Sequence, residues 1–163
     1  MKRLFLVLAL ALIGVMAFAA GTATLSLTGS VPASTNITVT PQAGVFPMDL
    51  SVTAANTLIA VVNEQSNDHL GYKVSVASAN LAGAGTQPFF KDAVSGDTLN
   101  YSLLYNGSAV VFAAGASQIT SVAAKTGSGG VNKNLNISFT GDPSLSASAG
   151  GYADTLTFTI TGN

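Results

Sequence analysis

Residues 151–160 read GYADTLTFTI, and this stretch decides the fold class of the chain. Apolar side chains recur at every second position, at Leu156, Phe158 and Ile160, and threonines stand between them. Successive side chains of a β-strand point to opposite faces of a sheet, so this alternation is typical of a strand with one buried face. A helix would place apolar side chains three or four positions apart. The stretch therefore predicts a β-strand.

The same alternation recurs along most of the chain and predicts an all-β fold. The candidate strands cover residues 23–31, 37–41, 50–52, 57–63, 70–76, 99–105, 108–112, 135–139 and 156–160. Residues 57–63 differ from the others because they are apolar on both faces, which suggests a fully buried central strand, although their length also permits a short helix. Asn106-Gly107 separates two of them and is the preferred sequence of a two-residue type I′ hairpin turn. About eight or nine strands at this spacing predict a single antiparallel immunoglobulin-like β-sandwich.

The parity of two strands also predicts where the core lies. Both segments alternate apolar with polar residues over a similar length, so their apolar sides should be buried on a common inner surface. This set is Leu135, Ile137 and Phe139 with Leu156, Phe158 and Ile160.

The composition excludes several classes of function. The chain has 163 residues, no cysteine and one histidine, His69, which excludes disulfide scaffolds, thiolate metal sites and sites that need two histidines. Six basic residues against seven acidic ones exclude a strongly basic nucleic-acid binder. The sequence shows no arrangement of acid, base and nucleophile. We therefore expect a protein that is not an enzyme and holds no cofactor or metal.

The first residues have the three-part pattern of a secretory signal peptide. Lys2 and Arg3 precede an apolar run from Leu4 to Met16, and Ala17-Phe18-Ala19 then offers small residues at the cleavage site. A transmembrane anchor is the alternative, but the apolar run is short for a bilayer span of ~20 residues. We expect a signal peptide over residues 1–19 and one β-sandwich domain over residues 20–163. The mature protein should be secreted to the periplasm or cell surface without a stable membrane span.

Three segments resemble bacterial pilin-like secreted β-sandwiches. They are residues 24–31 (TLSLTGSV), residues 36–41 (NITVTP) and the closing residues 151–160. The families that they resemble are the spore coat U type proteins and the chaperone–usher fimbrial subunits. Many members carry a cysteine after the first strand, near Thr35, whereas this chain has none. The resemblance therefore points to a branch without cysteine.

The resemblance implies an incomplete sandwich that lacks one edge strand. A strand donated by a chaperone, or by a neighbouring subunit in a homopolymer built at an usher, would fill the open groove. The candidate donor residues are Ala23, Leu25, Leu27 and Val31, which alternate with threonine and serine in an uncharged segment. The implied function is that of a fimbrial or surface structural protein. The residues equally allow this segment to be the first strand of its own domain.

The resemblance also marks a motif at the terminal strand, formed by Gly151, Tyr152, Asp154, Leu156, Phe158 and Ile160. Tyr152 is expected either to bond its hydroxyl back to the backbone, as in a tyrosine corner, or to be an ordinary core residue. Asp154 is expected to accept hydrogen bonds from loop amides rather than to hold a ligand.

Three remaining groups of polar residues suggest turns or surface positions. Glu64, Asn67, Asp68 and His69 are close in sequence but lack the spacing of a calcium loop, so we expect a solvated turn. Asp92 and Asp97 bracket a second turn around Gly96. The sequons at Asn36, Asn106 and Asn136 matter only in a glycosylating pathway, so they leave glycosylation open.

A monomeric adhesive or carbohydrate-binding module is the alternative function. Such a module needs exposed aromatic side chains on one face, and Phe89-Phe90, expected in a loop after Pro88, is the candidate pair. The same pair could instead plug the core at one edge of a sheet.

Overall fold

The computed structural model describes residues 21–82, 85–144 and 151–163. The expected signal peptide, residues 1–19, lies outside this part of the chain. The chain divides between Val31 and Pro32 into two units, which are described separately.

Residues 21–31 of the first unit contain no strand, and every one of them is exposed. Leu25 is 83% exposed, and Leu27 and Val31 are each 85% exposed. The strand expected over residues 23–31 is therefore not formed, because no described strand pairs with this segment.

The second unit is built from antiparallel strands, so the prediction of an all-β sandwich is confirmed. The described strands are β1 (Thr35–Pro41), β2 (Ala54–Ser66), β3 (Tyr72–Ser78), β4 (Leu81–Ala82), β5 (Gln87–Asp92), β6 (Thr98–Asn100), β7 (Ser102–Tyr105), β8 (Ser108–Ala109), β9 (Ser117–Val122), β10 (Val131–Phe139), β11 (Tyr152–Ala153) and β12 (Leu156–Gly162). No helix in the described ranges is long and apolar enough to cross a membrane.

Two of the described sheets face each other across the core, and residues of a smaller sheet pack against it. The first sheet has the order β1-β2-β10-β7-β8, and the second has the order β12-β3-β9. The small sheet consists of β11, β5 and β4, and β6 pairs with β5. Among the described strands, β1 and β12 are therefore edge strands of facing sheets, and they lie close to each other.

The core prediction is confirmed for β10 but not for β12. Leu135, Ile137 and Phe139 are buried, at 3%, 3% and 6% exposure. Leu156 and Phe158 of β12 pack against this core but, like Ile160, are only partly buried. The two sets belong to facing sheets, and among the strands that the structure describes β12 has β3 as its neighbour on one side and none on the other.

Some local predictions were wrong. Residues 50–52 form a turn, and the segment expected over 108–112 is a strand only at Ser108–Ala109. Strand β9 was missed, because its sequence SQITSV has little alternation. The Asn106-Gly107 hairpin is confirmed by the positive φ angles of both residues, 49° and 84°.

Candidate functional site

The directions of β1 and β12 define two ends of the sandwich. Strand β1 begins at Thr35 opposite Ser66, and β12 finishes at Gly162 opposite Tyr72. A short connection joins Ser66 to Tyr72, so these residues share one end, which we call the entry end because the chain enters the sandwich there. The other end holds Pro41 and Leu156 and is called the far end. Strand β1 therefore runs from the entry end to the far end, and β12 runs the opposite way.

An apolar groove lies between these two edge strands. Its volume is about 190 Å³, and its lining is mostly apolar, formed by Val39, Pro41, Phe46, Met48, Ile59, Ala60, Phe90, Tyr101, Leu135, Ile137, Asp154, Leu156 and Phe158. A cavity of ~150 Å³ accommodates a benzene molecule, so this groove has room for one or two large aliphatic side chains. Phe46 and Met48, from the connection between β1 and β2, were not anticipated as part of it.

The opposite flank of the sandwich is closed. Phe112 is only 2% exposed and lies in the connection that crosses from β8 to β9. The amide of Val110 donates to the carbonyl of Leu103 at 3.0 Å, and the amide of Ala113 donates to Ser117 Oγ at 2.8 Å. The connection from β8 to β9 therefore closes that flank. The groove lies at the other flank, between β1 and β12.

Asp154 closes the far end of the groove with a satisfied carboxylate. It accepts hydrogen bonds from Ser78 Oγ at 2.6 Å, from the amides of Asn80 and Thr155 at 3.1 and 2.7 Å, and from the Tyr101 hydroxyl. Burial and the neighbouring carboxylate raise the pKa of Tyr101. The expectation that Asp154 bonds to loop amides is confirmed, and its side chain fixes the start of β12.

Tyr152 does not form the expected tyrosine corner. It pairs with Asp92 across β11 and β5, and its hydroxyl oxygen is buried without a hydrogen-bond partner among the described residues. Burial and the carboxylates of Asp97 and Asp92 raise the pKa of Tyr152. Gly151 precedes β11 and is exposed.

Glu64 is not part of a solvated turn with its sequence neighbours. It is fully buried, at 0% exposure, and accepts hydrogen bonds from Tyr72, Tyr105 and Thr120. Asn67 and Asp68 do lie in the turn as expected, together with exposed His69. The sequence analysis missed this cluster because its hydroxyl donors come from three other strands.

The other expected polar positions lie on the surface or in turns. Asp92 and Asp97 bracket a turn, as expected, and Ser95 Oγ lies within hydrogen-bond distance of both carboxylates, at 3.1 and 2.8 Å. The sequons Asn36 and Asn106 are exposed, whereas Asn136 Nδ2 donates to the carbonyl of Asn56 at 3.0 Å.

Phe89 and Phe90 lie in β5, so the expected loop is wrong. The ring of Phe90 lies 4.8 Å from Tyr101 and 6.1 Å from Phe139, measured between centroids. Phe90 therefore packs against the core, whereas Phe89, the next residue of the strand, is half-buried, so the two rings do not form an exposed platform. Phe46, at 53%, is the aromatic residue among the exposed large apolar side chains of the described ranges.

The lining of the groove is suited to apolar groups. Within the described ranges, no group of three or more histidine, cysteine, aspartate or glutamate side chains could hold a metal. No protein-family model matches the chain, and no curated protein matches its sequence. The function must therefore be argued from the groove itself.

Proposed function

We propose that this protein is a secreted surface or fimbrial structural subunit without enzymatic activity, which assembles by strand donation. Residues 20–31, called the donor segment, insert into the groove of a neighbouring copy. The observation that carries the proposal is a pair of complementary features in one chain. An apolar groove is open beside β12, and Leu25, Leu27 and Val31 are exposed at 83%, 85% and 85%.

The chemistry of the donor segment suits the groove. It reads AGTATLSLTGSV, with no charge and with its larger apolar side chains on one parity. Added at the free edge of β12, it would gain main-chain hydrogen bonds and point its leucines inward. Full burial of one leucine stabilises by ~1.5–3 kcal/mol relative to exposure. The threonines and serines of the opposite parity would then face water.

The direction of the inserted strand separates exchange from self-complementation. Pro32 lies at the entry end, where its carbonyl oxygen accepts a hydrogen bond from Asn67 Nδ2 at 2.9 Å. A donor segment that filled its own groove would have to reverse before Thr35 and then run parallel to β12. In a head-to-tail polymer, the neighbour's segment leaves the groove at the far end. It would therefore run antiparallel to β12.

The direction of the inserted strand also distinguishes a closed dimer from an open fibre. If two subunits exchanged segments through facing entry ends, the result would be a closed dimer with strands parallel to β12. A contact between the entry end of one copy and the far end of the next is heterologous, and such contacts build open filaments. Only the antiparallel arrangement therefore makes a fibre.

We further propose that a periplasmic chaperone covers the groove before assembly and that an usher receives the subunit. An unfilled edge strand beside exposed apolar side chains promotes aggregation unless it is covered. Strand donation from a chaperone would satisfy the same edge.

Paired cysteines test the direction, since the chain contains no cysteine of its own. We would compare the mature chain carrying Thr28→Cys and Thr157→Cys with one carrying Thr28→Cys and Thr161→Cys. All three positions are exposed. A short bismaleimide cross-linker tolerates a two-residue shift in register, whereas Thr157 and Thr161 are ~13 Å apart along the strand.

Exchange into a polymer predicts a ladder of cross-linked multimers for the Thr157 pair and almost none for the Thr161 pair. Cross-linked monomers from the Thr161 pair would show self-complementation. Cross-linked dimers alone from that pair would show a closed exchange. Either of these results overturns the proposed fibre.

A further inference from the structure

The Glu64 cluster consists of Glu64, Tyr72, Tyr105 and Thr120, and it joins the two sheets. Oε1 of Glu64 accepts hydrogen bonds from the hydroxyls of Tyr105 at 2.7 Å and Thr120 at 2.8 Å, and Oε2 accepts one from Tyr72 at 2.9 Å. Glu64 and Tyr105 belong to the first sheet, through β2 and β7. Tyr72 and Thr120 belong to the second sheet, through β3 and β9. One carboxylate thus holds strands of both sheets.

The contribution of the Glu64 cluster to stability alone does not explain why a carboxyl group is buried at this position. Glu64 is 0% exposed, and within the described ranges no basic side chain lies within ion-pair distance of it, so its hydrogen-bond partners there are hydroxyl groups. Apolar residues of similar volume often stabilise a core at least as well as a buried charged network. The geometry that such a network imposes can be its main contribution.

The cluster is connected to the groove through one aromatic contact. The ring centroid of Tyr105 lies 6.2 Å from that of Phe158, and Phe158 forms part of the groove wall. Glu64 also shares a face of β2 with Ala60, which lines the groove about 13 Å away along the strand. Tyr105 therefore touches the groove wall with its ring and the buried carboxylate with its hydroxyl.

An incomplete sandwich has a particular need for such a contact. In a complete sandwich, interdigitated side chains of all strands set the distance between the sheets. A groove that has to accept a strand needs Phe158 to stay at its wall, because a ring that turned inward would close it. A fixed ring behind Phe158 would prevent that closure.

We propose that Glu64 and Tyr105 position Phe158 at the groove wall and so keep the groove ready to accept a strand. Glu64 holds the Tyr105 hydroxyl, and the Tyr105 ring supports Phe158. Tyr105 is thus a positioning residue for strand capture. This inference rests on the proposed function, because it assigns a role in filling the same groove.

The test compares two variants that each remove one hydroxyl from the same carboxylate. Tyr105→Phe keeps the ring next to Phe158 but frees it from Glu64. Tyr72→Phe is the matched control, since Tyr72 lies opposite Gly162, four residues along β12 from Phe158. Both variants are made in the full mature chain. Urea unfolding measures their stability, and a fluorescent peptide of residues 20–31 measures the rate of strand capture.

We expect similar losses of stability in the two variants, because each removes one hydrogen bond to the same buried carboxyl group. Capture of the peptide should be about tenfold slower in Tyr105→Phe than in Tyr72→Phe, which corresponds to ~1.4 kcal/mol. Glu64→Gln, which keeps the side-chain volume, should slow capture to the same degree and provides a second variant.

The two proposals fail in different ways. Equal capture rates in wild type, Tyr105→Phe and Glu64→Gln would overturn the positioning role and leave strand donation in place. If peptide capture is slowed to the same degree in Tyr105→Phe and Tyr72→Phe, the Glu64 cluster stabilises the fold but does not position Phe158. If the wild-type chain captures no peptide, strand donation is wrong, and the positioning role falls with it.

Discussion

Residues 21–31 and strand β12 carry the same alternation of apolar and hydroxyl side chains, yet only β12 is a strand. In the first segment, Leu25 and Leu27 are 83% and 85% exposed. In the second, Leu156 and Phe158 pack partly against the core, and every residue of β12 is paired with β3. Alternation therefore predicts which segments can pair, whereas a neighbouring strand decides which of them do.

Residues 21–31 and strand β12 have complementary features. Among the described strands, β12 has an unpaired edge beside an apolar groove, and residues 21–31 have exposed apolar side chains at alternate positions. Under the proposed exchange, the same pairing would complete both, but in different molecules. The predictions below separate the contributions of the two segments.

The largest expected effect comes from a charge on the apolar parity of the donor segment. Leu27→Asp should lower assembly by at least about 100-fold, because insertion would bury an unpaired carboxylate in an apolar groove. The melting temperature of the isolated subunit should not change, since Leu27 is 85% exposed there. Size-exclusion chromatography and thermal melts measure the two quantities.

Ser26→Asp is the matched control for Leu27→Asp, because it places the same charge one residue away on the opposite parity. Its carboxylate would face water in the inserted strand, so assembly should fall far less. If both variants assemble equally well, the donor segment does not use the parity proposed here.

Much of the fold could be predicted from the sequence, because one buried face forces alternation in β3, β7, β10 and β12, and the continuous apolar run within residues 57–63 marks β2 as a buried strand. Strand β9 could not be predicted, since SQITSV alternates weakly and depends on pairing with β3. The groove could be anticipated only through the family resemblance, because its lining comes from five strands and from the connections that hold Phe46, Met48, Tyr101 and Asp154. The burial of Glu64 was unpredictable, because its donors are distant in sequence.

A smaller effect is expected from the groove wall, and it should depend on whether the groove is filled. Phe→Ala substitutions in closed cores cost ~3–5 kcal/mol. Because Phe158 is only partly buried, Phe158→Ala should cost about 1–3 kcal/mol in the free subunit. With the peptide of residues 20–31 bound, the cost should rise towards the value for a closed core.

Thr157→Ala is the control for Phe158→Ala, because Thr157 is exposed on the opposite face of β12. It should cost less than about 0.5 kcal/mol with or without peptide. Urea unfolding of each variant in both conditions measures the difference. A cost for Phe158→Ala that is unaffected by the peptide would mean that the peptide binds elsewhere.

The smallest effect concerns the closed interior behind the groove and depends on pH. Burial and the Glu64 carboxylate raise the pKa of Tyr72 to about 12 from an ordinary value of 10.0. Its neutral form therefore stabilises the fold fully below pH 10, and this contribution is lost as the pH rises from 10 towards 12, since the unfolded chain ionises first. By pH 11 the loss should reach about 1.4 kcal/mol. Tyr72→Phe should be less stable than the wild type at neutral pH. Between pH 9 and pH 11, however, its free energy of unfolding should fall by about 1.4 kcal/mol less than that of the wild type, as measured by urea unfolding.

Addition of the peptide of residues 20–31 should leave this difference between Tyr72→Phe and the wild type unchanged, because Tyr72 does not line the groove. A difference that the peptide abolishes would show that the groove and the interior do not behave as separate regions.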